Sequence, residues 1–96
     1  MPVLMIIDPK INNHEMYNEY ASKAEPIVKS YGGRYLVRGG KIKALSEYWT
    51  PERIVVIEWP DQQTMDNCFN SPEYKKIVHL RLNSIVSRSV VVEKCE

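Results

Sequence analysis

Hydrophobic residues occupy successive positions in three stretches of the chain, Val3 to Ile7, Ile54 to Ile57 and Val90 to Val92. A β-strand sends alternate side chains to opposite faces, so runs without alternation predict strands covered on both sides. Only two segments carry a helical period. Tyr17, Tyr20, Ala24, Ile27, Val28 and Tyr31 recur at three- and four-residue steps; Met65, Cys68 and Phe69, then Tyr74, Ile77, Val78, Arg81 and Ile85, form a second, interrupted stripe. Two short helices can cover one face of a small sheet. The other face calls for a partner, because an exposed apolar patch of that extent invites association.

The residues between these runs set the element boundaries. Met1 to Asp8 reads as a first strand ended by Pro9, which cannot donate to a ladder. Asn12 and Glu15 have the spacing of a capping box. Pro26 lacks a backbone donor and predicts a kink or a restart with Pro26 as the first residue of a final turn, and Gly32 and Gly33 end the helix. Arg34 to Arg38 is a second strand, with Arg34, Leu36 and Arg38 on one face and Tyr35 and Val37 on the other, broken by Gly39 and Gly40. Lys41 to Trp49 continues as an extended arm closed by Thr50 and Pro51. Arg53 to Trp59 is the third strand. Pro60 and Asp61 open a short helix, Asn70 interrupts it, and Ser71 caps a second piece with Pro72 at its first position. Arg88 to Lys94 is the last strand.

The order βαββαβ is the ferredoxin-like α+β motif, here a single domain over residues 1–96. Right-handed crossovers put the first and third strands at the centre with both helices on one face. The bare face is then met by the same face of a second copy, since twofold pairing is the commonest symmetric solution. A homodimer of two stacked four-stranded sheets is expected.

Composition narrows the function more than it suggests one. The 44% apolar and 26% charged content is that of a globular protein. A chain of 96 residues buries only roughly 60 to 65% of its unfolded surface, which favours burial against a partner. The net charge of +1, from 13 basic and 12 acidic residues, gives no field to recruit nucleic acid or an anionic membrane. No run approaches the ~18 apolar residues of a membrane span, and Met1 to Asp8 lacks the features of a signal peptide, so a cytoplasmic protein is expected. Cys68 and Cys95 have neither metal spacing nor disulfide density and read as free thiols.

Three blocks, Tyr31-Gly32-Gly33-Arg34-Tyr35-Leu36-Val37-Arg38-Gly39-Gly40, Trp49-Thr50-Pro51-Glu52-Arg53-Ile54-Val55-Val56-Ile57-Glu58-Trp59-Pro60, and Ser71-Pro72-Glu73-Tyr74 with Arg81 seven residues on, resemble the domain of unknown function 1330 family over nearly the whole chain. Tyr48 after Glu47 departs from the family's usual Glu-Gly. The resemblance implies a dimeric α/β barrel, a superfamily that also houses cofactor-free quinone-forming monooxygenases, muconolactone isomerases, haem-binding dismutases and ligand-sensing domains. It implies no activity, and it places sites in the cleft between sheet and helices.

Candidate chemistry rests on few residues. Glu58 is a carboxylate inside an apolar central strand and needs a partner, Arg81 or Arg38. It is either half of a structural ion pair or a general base or ligand anchor in the cleft. Arg34 and Arg38, side by side on one strand face, form either an anion-binding fork or a charged edge that blocks aggregation. His79, beside Ile77 and Val78, is better placed than His14 to move a proton near neutral pH; surface or packing is the plain alternative. Tyr17, Tyr20 and Tyr31 make a stripe that is either core or the wall of an aromatic pocket. Gly32, Gly33, Gly39 and Gly40 lack a dinucleotide-binding spacing and read as turns. No cluster has ligand spacing, so neither a metal nor a cofactor is expected.

Two function classes follow. One is an enzyme acting without metal on a small anionic or phenolic metabolite, with Glu58 or His79 as the catalytic group and Arg38, Arg81 and Tyr20 binding the substrate. The other is a non-catalytic ligand-binding or assembly module in which those charges are structural.

Overall fold

A computed structural model describes residues 1–95. Strand β1 (Val3–Ile11) leads into helix α1 (His14–Ser30); β2 (Arg34–Arg38) and β3 (Val55–Trp59) follow; three short helices, α2 (Gln62–Phe69), α3 (Pro72–Lys75) and α4 (Val78–Ser84), precede β4 (Ile85–Glu93). All pairings are antiparallel, in the order β2-β3-β1-β4. The apolar runs of β1 and β3 are therefore central, as their double-sided burial requires, but the third run, Val90 to Val92, falls on the edge strand β4, where all three residues are exposed rather than covered on both sides. No helix of the described residues is long and apolar enough to cross a membrane.

Register decides which residues meet the helices. Val3, Met5 and Ile7 of β1 lie opposite Trp59, Ile57 and Val55 of β3. With Val28, Met65 and Cys68 they build the core under α1 and α2. A second cluster, Ala24 with Tyr74, Ile77 and Leu80, joins α1 to α3 and α4. The alternate residues Leu4, Ile6, Val56, Val86, Val90 and Val92 face away from the helices; Val86 and Val90 are 66% and 60% exposed. That bare apolar face is the one the sequence predicts.

Several boundaries differ from expectation. Pro9 does not end β1, because β3 stops at Val55, opposite Ile7, and β1 beyond that point is an edge that needs no donor there. β1 continues to Ile11, which gives Ile85 a strand partner and moves the start of β4 three residues before Arg88. The α1 cap is Asn13 rather than Asn12, its side chain accepting from the Met16 amide at 3.0 Å. Asn12 is instead drawn to the end of α4, its amide donating to the Ser84 carbonyl at 2.7 Å. Helix α1 runs through Pro26 without restarting. Pro26 and Ser22 are both exposed, so the Ser22 carbonyl that loses its amide donor lies where water can serve it. The helix stops at Gly32, whose φ of 97° is left-handed. Gly33 and Gly32 then donate to the carbonyls of Val28 (2.9 Å) and Lys29 (3.1 Å), the two bonds of a Schellman cap.

The expected arm over Lys41 to Trp49 is not a strand and carries one isolated bridge, Ser46 to Trp49. It is fastened at its end, where the Trp49 indole donates to Asp8 at 2.8 Å and Glu52 accepts from the Ile11 amide at 2.7 Å.

Candidate functional site

A cleft lies between the helix side of the sheet and α1, and its origin is a run of small side chains. Ala21 and Ala24 on α1, with Ser87 and Ser89 on β4, fall short of the opposing layer and leave a cavity of about 70 Å³. Its apolar surface comes from Met5, Ile7, Val55, Ile57 and Phe69. The exposed Ser89 and Arg38 mark where it meets solvent.

The polar groups in this space are tyrosines and arginines. The Tyr20 and Tyr74 hydroxyls are 2.8 Å apart, with the rings edge to face at a centroid distance of 6.3 Å. Burial drives the Tyr20 hydroxyl well above its ordinary pKa, and the neighbouring Tyr74 adds to that. Burial likewise raises Tyr74, opposed by its bond to Tyr20 and by the charge of Arg81. Tyr35 is pushed up to about 12, again by burial. All three are therefore neutral hydroxyl donors at physiological pH. Arg38 pairs with Glu25 at 2.7 Å and lies over the Tyr35 ring at 5.4 Å. Arg81 differs: its Nε is buried and has no hydrogen-bond partner among the described residues. Among the described residues no Asp, Glu or His lines the cleft.

Of the residues singled out by sequence, Tyr20, Arg38 and Arg81 thus come together, and Glu58 and His79 do not. Glu58 alternates with Val55, Ile57 and Trp59 and so points to the bare sheet face, where Lys94 and Arg34 bond it at 2.6 and 2.5 Å. The expected pairing with Arg81 or Arg38 is replaced by these two, because both of those arginines lie on the helix side. His79 is exposed on α4 and outside the lining. The fork of Arg34 and Arg38 is also absent. A bulge between Tyr35 and Val37 inserts one residue, so Arg34 pairs with Glu58 on one face and Arg38 with Val55 on the other. Tyr17 and Tyr20 line the cleft, while Tyr31 leaves the stripe to donate to Glu73 at 2.6 Å.

Sequence reasoning left Tyr74 in the core stripe and gave Tyr35 and the two serines no role. The signal for Tyr74 was its place seven residues before Arg81, two helical turns. Arg53 was missed too. Its guanidinium lies over the Tyr17 ring at 5.4 Å, with a buried Nε that has no partner among the described residues. Cys68 is sealed in the core, where burial pushes its thiol up to about 11.

The displaced Glu58 has a measurable signature. Hydrogen bonds from Lys94 and then Arg34 hold its carboxyl below the ordinary 4.5. A carboxyl lowered on folding adds stability above its unfolded pKa and loses it as pH falls through the folded one. Glu58→Gln is expected to lower Tm at neutral pH and to flatten the fall of Tm below about pH 4.5. Thermal melts across pH check this, and an acid limb identical to that of the parent protein would refute it.

The sequence matches the family described as Domain of unknown function (DUF1330) over residues 2–95. No curated protein matches it. Among solved structures, the protein of unknown function RPA0582 from Rhodopseudomonas palustris superposes with a TM-score of 0.83 at 16% identity, covering 99% of this chain and 83% of that one. SnoaB from Streptomyces nogalater, described as a cofactor-independent oxygenase, gives 0.71 at 10% identity over 99% and 94%. A dimeric protein of unknown function and ferredoxin-like fold from Bacteroides fragilis gives 0.66 at 13% over 97% and 96%. At these identities the likeness is one of fold.

Proposed function

Since the chain belongs to the family described as Domain of unknown function (DUF1330), we propose that it is a homodimer of ferredoxin-like protomers, each binding a small organic anion in the cleft between sheet and α1. One observation carries the ligand class: among the described residues the charged side chains of the lining are Arg38 and Arg81, with no carboxylate. Glu25 neutralises Arg38 from outside the lining. Arg81 is half-buried, and its buried Nε has no partner among the described residues, so an anion in the apolar space beside it would supply both an acceptor and a counter-charge. The neutral tyrosines add donors and no base.

The dimer is supported by the face bearing Ile6, Val56, Val86 and Val90, which the helices on the opposite side cannot cover. The dimeric relative of the same fold agrees with it.

Ligand class is tested by thermal shift and amide NMR with a panel of small organic acids and amines of matched shape. Acids are expected to raise Tm and move the resonances of cleft residues, because a ligand that binds only the folded state stabilises it by mass action. Amines are expected to do neither. A panel in which no acid binds, or in which amines bind as well, overturns the reading. A second reading, oxygenation of the bound molecule, draws on the likeness to SnoaB; oxygen uptake above a buffer control with an acid that binds the cleft tests it.

A further inference from the structure

The donors of the cleft specify more than a negative charge. We propose that the Tyr20–Tyr74 hydroxyl pair and the Nε–H of Arg81 form a clamp for one carboxylate group, and that the molecule it takes is a short aliphatic monocarboxylate. This rests on the cleft being the ligand site.

Two phenols at 2.8 Å share one hydrogen bond, which uses one of their two O–H protons. Neither hydroxyl has another partner among the described residues, so one proton is left to donate. The Nε–H of Arg81 is a second unused buried donor, on a residue that lines the same cleft as both phenols. Tyr74 is 4% exposed, so the vacancy lies in the closed part of the cleft. Burial without a bond is costly for each of these donors, and the cost is largest for the charged one.

A carboxylate answers all three demands, with two acceptor oxygens for two donors and one negative charge for one positive. An amide of the same shape brings a single acceptor and leaves its own N–H groups to be satisfied. A phenol or alcohol leaves Arg81 without a counter-charge. Phosphate has more oxygens than the clamp has donors and would carry excess charge into an apolar space. Sites built from hydrogen-bonding groups discriminate strongly in this way, because the wrong ligand leaves buried groups unpaired.

Size restricts the body of the ligand. The cavity holds about 70 Å³, against ~150 Å³ for an engineered apolar cavity that accepts benzene. Ala21, Ala24 and Phe69 offer it aliphatic and aromatic contact. A short alkyl chain fits this space, and an aromatic ring does not unless the walls move.

Amide NMR titrations of the intact protein with butyrate, butyramide, phenol and inorganic phosphate test the clamp. Butyrate is expected to bind saturably and shift the Ala21 and Ala24 resonances, with butyramide, phenol and phosphate each weaker by at least about tenfold, the loss expected of a hydrogen bond to a charged group. Arg81→Gln is expected to weaken butyrate by a similar factor with no fall in Tm, since it removes a charge that has no partner. Tyr20→Phe or Tyr74→Phe alone leaves one hydroxyl to donate and should weaken butyrate modestly; the double variant should match Arg81→Gln, and it tests the clamp independently if Arg81→Gln does not fold. Phenol or phosphate binding as tightly as butyrate, or butyrate binding undiminished in Arg81→Gln or in the double variant, overturns the clamp and leaves the cleft a binding site. No shift of cleft resonances with any of the four overturns the clamp and the reading beneath it.

Discussion

Val90→Asp is expected to convert the protein from a dimer to a monomer that keeps its fold. Val90 lies opposite Ile6 of the central strand, on the face turned away from the helices, and is 60% exposed in a single protomer. A carboxylate there meets water in the monomer and should cost it little. In the proposed dimer the stacked sheets would pack about 10 Å apart, with twofold symmetry bringing the same face of the second copy onto it. The charge would then be buried beside Arg88, whose guanidinium already serves Asp8 at 3.0 Å, at roughly 2 to 7 kcal/mol or more per copy. A micromolar dimer has about 8 kcal/mol of binding free energy, so two such costs would remove most of it. Light scattering at micromolar concentration checks the mass, and circular dichroism the fold. A variant still dimeric, or a parent protein monomeric with a cooperative melt, would refute the assembly.

The largest loss of stability is expected from Gly33→Ala. A Cβ at Gly33 would lie 2.5 Å from Cγ1 of Val28 and 2.9 and 3.0 Å from two ring carbons of Trp59. Neither neighbour can turn aside, because Val28 is 1% and Trp59 0% exposed. The φ of Gly33 is not left-handed, so the cost is contact rather than backbone strain. Overpacking of a closed core costs about 1 to 3 kcal/mol, and this site belongs at the top of that range. For a domain of this length about 3 kcal/mol corresponds to a Tm lower by roughly 12 °C or more. Scanning calorimetry at matched protein concentration measures it, and Val28→Ala in the same chain should restore part of the loss, since the two sites are in contact. A shift below about 4 °C would mean that the corner relaxes.

The legible and illegible parts of this molecule divide along physical lines. Apolar runs identified β1 and β3 as central because burial on both faces leaves a compositional mark. The bare face followed from comparing sheet surface with helix surface. Tyr20 and Arg81 could be assigned to the side facing the cleft because a stripe on a helix specifies a direction. Arg34 and Arg38 were placed together because nothing in Tyr35-Leu36-Val37 signals an extra residue, and one inserted residue reverses the face of everything beyond it. The position of Glu58 was readable and was misjudged. Trp59 is the larger apolar group and takes the helix side, so strand alternation sends its neighbour to the other. The pairing of Tyr20 with Tyr74 depends on how α1 crosses α3 and α4, a matter of tertiary packing that no local pattern encodes.

The chain's two tryptophans stand in opposite surroundings. Trp59 is sealed beneath α1 and α2, edge to face with Phe69 at 5.7 Å. Trp49 is 48% exposed at the end of the arm, its indole tied to Asp8 beside Val90. Intrinsic fluorescence therefore carries two separable signals without any label. A soluble quencher reaches Trp49 and not Trp59, so its effect reports coverage of the open sheet face, while the unquenched emission follows the core.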